Sequence, residues 1–190
     1  NSKATINNSN ITVNGMYTQV WNSVCFGVWG GVALTINGGN YTLNNNDTYA
    51  TGASHGGWVG IIMNSGGTIT INDGAFENVP AAGFMPQYER AVLHSEAASG
   101  SIATYNIIGG KYNPQEDLII DGYDDGVGKR YTNIAGNGTI ADSDNDGWYT
   151  IEDNKGYVVN GTEYLVSTGA GLAAAVTDAP ATATIKLTAD

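Results

Sequence analysis

The chain has 190 residues, enough for one domain or one and a half with a real core, and only 13% of them are charged. Gly numbers 27 while Leu, Glu, Lys and Arg are scarce, so strands and turns are expected and long amphipathic helices are excluded. Seven Lys+Arg face eighteen Asp+Glu, a formal charge of −11 with no basic run, which removes the footprint of nucleic acid as a partner.

From the N-terminus, four segments echo one another: "ITVNGMY" (Ile11–Tyr17), "LTINGGNY" (Leu34–Tyr41), "ITINDGAF" (Ile69–Phe76) and "YNIIGGKY" (Tyr105–Tyr112). Aligned on Asn14, Asn37, Asn72 and Ile108, they step by 23, 35 and 36 residues. Each has a forerunner: "KATINNSN", "VCFGVWGG", "GIIMNSGG" and "AVLHSEAASG". Along the strands Leu34 and Ile36 share one face, as do Ile69 and Ile71, while Thr35 and Thr70 point the other way. A parallel β-solenoid explains this better than an antiparallel sandwich, which would want hairpins of similar length throughout. Stacked coils would set Ile on Ile and Asn on Asn about 4.8 Å apart, with amide ladders between the Asn side chains. Tyr17, Tyr41, Phe76 and Tyr112 would form an aromatic column, and insertions would leave as loops at 42–57 and 77–89.

These "TINGG-aromatic" units resemble the right-handed parallel β-helix repeats of bacterial surface proteins and phage fibre or decoration proteins, the non-catalytic form of the pectin-lyase-like superfamily. The stretch "GGKYNPQEDLIIDGY…DNDGWYTIED" (Gly109–Glu152 and the residue after it) resembles the segment that follows the last coil there. The resemblance implies a short acidic helix, then an "xxGY" stretch and a hairpin.

Beyond Asp142, "NDGWYTI" and "GYVVNGTEYLV" read as hairpin strands with turns at Asp146-Gly147 and Asn160-Gly161. "STGAGLAAAVTDAP" (Ser167–Pro180) is the one helix expected, capped by Ser/Thr and stopped by Pro180. "ATIKLTAD" is a final strand, and helix plus strand resemble the start of a further β-helix. The expected organisation is therefore all-β: about four or five coils over 1–115, a turn and hairpin segment over 116–166, and a short capping helix and strand over 167–190.

Catalytic motifs are weak. Polygalacturonase-type hydrolases would resemble N-T-D, D-D, G-H-G and R-I-K in that order. Here Ser54-His55-Gly56-Gly57 precedes Asp124-Asp125, and N-T-D is missing. A strongly acidic chain would also repel a polyuronate. His55 reads as solvated and His94 as a rim residue, with no zinc spacing. Asp142, Asp144 and Asp146 occupy positions 1, 3 and 5 of an EF-hand-like loop, with Asp153 at 12, so calcium is weighed there against a plain D-G turn. Trp21, Trp29, Tyr49, Trp58 and Tyr88 lie in or beside turns and long loops, where they would either stack on sugar faces or pack as small loop cores. Cys25, within Val24-Cys25-Phe26, reads as a buried structural thiol, and a single Cys excludes an internal disulfide framework. Asn7, Asn10, Asn40, Asn46, Asn137 and Asn160 each begin an N-x-S/T sequon, which forbids nothing about secretion.

No stretch nears the roughly 20 apolar residues of a membrane span, and a chain that starts at Asn1 reads as a piece of something longer. The expectation is a non-enzymatic structural or adhesive module, outside the bacterial cell or on a phage virion, needing no cofactor. Its partner would be a cell-surface glycan or host receptor, and a homotrimer is compatible with it. The alternative is a carbohydrate-binding or carbohydrate-active β-helix protein working through the two loops.

Overall fold

The computed structural model describes residues 2–15, 22–45, 58–79, 91–95, 103–113, 117–121, 131–134, 140–151 and 154–188. The strands are β1 (Ser2–Ile6), β2 (Ser9–Gly15), β3 (Asn22–Trp29), β4 (Val32–Asn45), β5 (Trp58–Ser65), β6 (Thr68–Val79), β7 (Ala91–Ser95), β8 (Thr104–Ile107) and β9 (Lys111–Asn113). They continue with β10 (Asp117–Asp121), β11 (Tyr131–Ile134), β12 (Ile140–Ala141), β13 (Tyr149–Ile151), β14 (Tyr157–Asn160), β15 (Glu163–Val166) and β16 (Thr184–Leu187). Among the described residues the one helix is α1 (Gly169–Asp178), between β15 and β16.

The protein is mostly β, and most of its pairing is parallel. β1, β4, β6, β8 and β11 form one parallel ladder, and β2, β4, β6 and β9 form another in the same sheet. β3, β5, β7 and β10 form a separate parallel sheet. One apolar core joins them, with Ile36, Ile69, Ile71 and Ile107 from the first ladder, Tyr41, Leu43, Phe76 and Tyr112 from the second, and Ile61, Ile62 and Leu93 from the separate sheet. The alternation read from the sequence holds, since Leu34 and Ile36 are buried while Thr35 between them is partly open. Each fully buried Ile of this set contributes about 1.5–3 kcal/mol.

The register corrects the first repeat. Ile6, not Val13, lies beside Ile36, and Ile36 lies beside Ile71, which lies beside Ile107. "ITVNG" instead runs alongside "YTLNN", so Asn14 neighbours Asn44 rather than Asn37. The reason is a corner that string matching does not see. β4 and β6 are long because they turn within themselves, at Gly38-Gly39 (φ 119° and 109°) and at Gly74 (φ 142°). At the equivalent place between β1 and β2 the left-handed residue is Asn8, with φ 47°. Asn is among the few side-chain-bearing residues that enter this region at modest cost. The true first unit is therefore "ATINNSNITVN", one strand on each side of Asn8.

That shift also changes the aromatic column. Ile11, rather than Tyr17, adjoins Tyr41, and Tyr17 lies outside the described residues. Tyr41 stacks on Phe76 at 4.9 Å between centroids, Phe76 on Tyr112 at 5.2 Å, and Phe26 meets Tyr41 edge-on at 5.8 Å. Both tyrosine hydroxyls turn back to their own corner, donating to Gly38 O and Gly109 O at 2.7 Å. A buried phenol is thereby satisfied without water.

Both expected loops start later than their composition suggested. β4 runs to Asn45 and β6 to Val79, so 42–45 and 77–79 are strand, and 46–57 and 80–89 lie outside the described residues. The expected acidic helix is also corrected where it can be seen: Asp117–Asp121 is a strand paired in parallel with β7. Parallel pairing thus continues past residue 115, and β11 extends it to 134.

The end of the chain forms a small sheet of its own, β14–β15–β16, with the hairpin β14–β15 antiparallel and β16 parallel to β15. The hairpin turn is Gly161-Thr162, one residue later than expected, because Asn160 still pairs with Glu163. Gly161 takes φ 64° at the first turn position, as a two-residue hairpin loop requires. α1 begins where the sequence placed it, with Thr168 Oγ1 accepting from Gly171 N at 3.0 Å. Its Ala175 packs with Tyr157 and Val166.

Candidate functional site

Three sets of side chains compete for the role of site. The first is the set of aromatics singled out from sequence. Trp21, Tyr49 and Tyr88 lie outside the described residues, and of Trp58 the structure describes the backbone, in β5 opposite Asn22. Trp29 ends β3, is 58% exposed, and lies over Gly27 so closely that a Cβ there would sit 2.6 Å from the indole. The described residues therefore bring none of these five together. Trp29 is an exposed ring on the outer face of the β3–β5 sheet.

The second set is the aspartate run. β12 and β13 pair antiparallel, so 142–148 is a hairpin connection, as the D-G step implied. Asp142 accepts from Asp146 N and Gly147 N, both at 3.0 Å, and Asp146 accepts from Trp148 N at 2.8 Å. Those carboxylates serve the backbone of their own turn, with Asn145 (φ 54°) and Gly147 (φ 86°) in left-handed conformations. Asp144 is exposed, Asp153 lies outside the described residues, and no group of three or more His, Cys, Asp or Glu among the described residues is close enough to hold a metal ion. Of the two readings weighed for this loop, calcium at Asp142, Asp144 and Asp146 or a plain turn, the described bonds are those of a turn capped by Asp142 and Asp146.

The third set was not singled out. Along the corners of β4, β6 and the chain before β9 runs an open groove of about 620 Å³. Its floor is the glycine column Gly39, Gly74 and Gly110, all with positive φ. These positions exclude side chains: a Cβ on Gly39 would sit 2.1 Å from Ser9 O, and one on Gly110 3.1 Å from Gly74 O. Along the groove Asn10, Asn40, Ala75 and Lys111 lie in register on successive strands. Asn40 Nδ2 donates to Asn10 Oδ1 at 2.7 Å. Asp73 borders the groove and accepts from Gly74 N at 2.8 Å, and the Lys111 ammonium sits 4.5 Å from the Trp148 ring centroid.

The Asn40–Asn10 bond belongs to a wider ladder. Asn37 donates to Asn7 at 2.8 Å, Asn44 to Asn14 at 3.0 Å and Asn72 to Asn37 at 2.6 Å. One rung further the equivalent residue is Ile108, buried against Val158 and Leu165 of the C-terminal sheet. Asn72 is closed off there by Thr188, whose Oγ1 donates to Asn72 Oδ1 at 2.9 Å and whose carbonyl accepts from Asn72 Nδ2 at 3.2 Å. A crevice of about 370 Å³ lies along this seam, between Asn72–Asp73 and the start of α1.

Cys25 is half-buried, with its Sγ 3.7 Å from Thr42 O. Burial pushes its thiol up to about 11, against a weaker lowering by a backbone contact at Val13, so it is inert at neutral pH. Side chains of His55 and His94 lie outside the described set. Among the described residues no helix is long and apolar enough to cross a membrane. No protein-family model, no curated protein and no solved structure matches the chain.

Proposed function

We propose that this chain is a right-handed parallel β-solenoid acting as a stiff, non-enzymatic structural and adhesive module on a bacterial surface or phage virion, akin to the non-catalytic pectin-lyase-like repeat proteins. The observation that carries the reading is the run of like-on-like columns, Ile6–Ile36–Ile71–Ile107 inside and Asn7–Asn37–Asn72 outside. Columns of this kind arise when successive turns of chain repeat one path about one axis. Such a body resists bending because each inner rung is hydrogen-bonded to one on either side along its length. Its described groove is lined mainly by carboxamides and peptide groups, which exchange no proton at neutral pH and so suit binding better than acid–base chemistry.

Native-state hydrogen exchange and proteinase K digestion test this together. Uniformly slow exchange across 34–36, 69–71 and 104–107, with survival of a fragment spanning them, supports the rod. Exchange of one of these segments at unfolded-chain rates, or release of reducing ends from any polysaccharide by the protein, defeats the reading. Light scattering of the purified chain decides between monomer and homotrimer.

A further inference from the structure

We infer that the glycine-floored groove beside Asn10, Asn40, Asp73 and Lys111 is a binding site for an uncharged oligosaccharide lying along the strand stack. The inference rests on the adhesive reading above and gives it a place and a ligand class. It differs from the expectation of glycan contact through the loops at 42–57 and 77–89.

Three properties of the groove select this ligand. First, its floor is peptide rather than side chain: a Cβ on Gly39 would meet Ser9 O at 2.1 Å, one on Gly74 the Phe76 ring at 2.9 Å, and one on Gly110 the Tyr112 hydroxyl at 3.0 Å. Second, two adjacent rungs of its side carry carboxamides, Asn10 and Asn40, followed in register by Ala75 and Lys111. The ladder bond uses one donor of Asn40 and one acceptor of Asn10, and each amide has two donors and two acceptor positions. Asn10 and Asn40 therefore present further donor and acceptor positions one rung apart, about 4.8 Å, a spacing suited to neighbouring sugar hydroxyls. Third, the groove holds one carboxylate and one ammonium among its described lining, and the ammonium is held over Trp148.

The same lining excludes the other polymers. A polyanion would meet Asp73 and a chain of charge −11. Nucleic acid would find a single cation. A peptide needs apolar pockets for alternate side chains, and Ala75 is the only apolar side chain among the described lining residues.

The test uses the whole chain on a printed array of neutral hexose and N-acetylhexosamine oligosaccharides, with uronate and sialylated glycans and a random peptide library alongside. Hits are then titrated calorimetrically. Two variants enter the titration, Asn40→Ala, which removes ladder donors, and Ala75→Trp, which fills the groove and removes no hydrogen-bonding side chain. Both are checked for an unchanged circular-dichroism melt. The expected result is a neutral hit, weakened about tenfold by Asn40→Ala, the equivalent of one good hydrogen bond, and abolished by Ala75→Trp. Binding of a neutral glycan that survives Ala75→Trp overturns the site. Binding of only acidic glycans or only peptides overturns the ligand class, and no hit at all overturns the inference. If exchange protection stays uniform while the array is blank, the rod stands and this inference alone falls.

Discussion

The strands from β1 to β9 and the unit from β14 to β16 bury their apolar residues in opposite ways. In the first region a side chain's main neighbour is its own counterpart one rung away, as Ile71 lies between Ile36 and Ile107. In the second, neighbours are unlike: Tyr157, Val166 and Ala175 come from two strands and a helix. The first arrangement makes stability a sum over rungs and leaves the lengths of the connections free. The second depends on one close fit, with α1 drawn so near the hairpin that a Cβ on Gly171 would sit 2.1 Å from Gly156 O. Repetition tolerates insertion, and the compact cluster does not.

The comparison can be broken most forcefully at Phe76, the middle of the aromatic column. Phe76→Ala should cost about 4 kcal/mol, because both flanking rings lose their partner and the cavity is enclosed. Chemical denaturation should show this loss, with exchange rising in β4 and β9 while β14–β16 stays protected. At the seam, Asn72→Ala should cost about 2 kcal/mol, since it removes bonds to Asn37 and to Thr188. Here the two regions should separate, seen as a split melting transition. Thr168→Ala should cost about 1 kcal/mol through the lost N-cap, with faster exchange confined to α1 and its neighbours.

The pH response sharpens the contrast with no mutation. In the column, burial raises the phenols of Tyr41 and Tyr112 above their ordinary range, the latter helped by the Asp73 charge. Folded tyrosine therefore keeps its proton where the unfolded chain loses it. This stabilisation is complete below the unfolded value of about 10 and is lost as pH rises above it. For Asp178 of the C-terminal unit the sign is reversed. Asp178, bonded to Lys155 at 2.8 Å and Tyr157 at 2.6 Å, is held below the usual carboxylate range. Its contribution is present above the unfolded carboxylate value and fades as pH falls through the folded one. Screened by solvent, it should move the acid limb only slightly. Melting curves from pH 3 to 11 should show Tyr112→Phe flattening the alkaline limb and Asp178→Asn removing the small acid-limb contribution of that carboxylate.

Much of the strand stack was legible in the sequence because its signals are local: alternation at Leu34–Ile36 and Ile69–Ile71, glycine pairs, and the Ser/Thr cap ahead of Leu172. What misled was similarity without geometry. "ITVNG" and "ATINN" each match "LTING" at three of five letters, and the corner at Asn8 decides the register. At Asp142 and Asp146 the sequence left a cation and a plain turn both open, and the turn's own amides bond to those carboxylates. The groove could not be read along the chain, since its floor and side come from residues about 30 to 36 positions apart that meet only once strands lie in register. Of the signals shared by the echoes, Asn was legible as an amide ladder, while Gly looked like punctuation.

Ile108 carries a meaning beyond its burial. A file of identical amides contains no instruction to stop, since each member offers the next the same welcome, and this is the logic by which fibrils elongate. Replacing the fourth amide with a hydrocarbon, and giving Asn72 to Thr188, ends that invitation within the molecule. The amide column thus ends with a single residue, at the point where the C-terminal sheet packs against it.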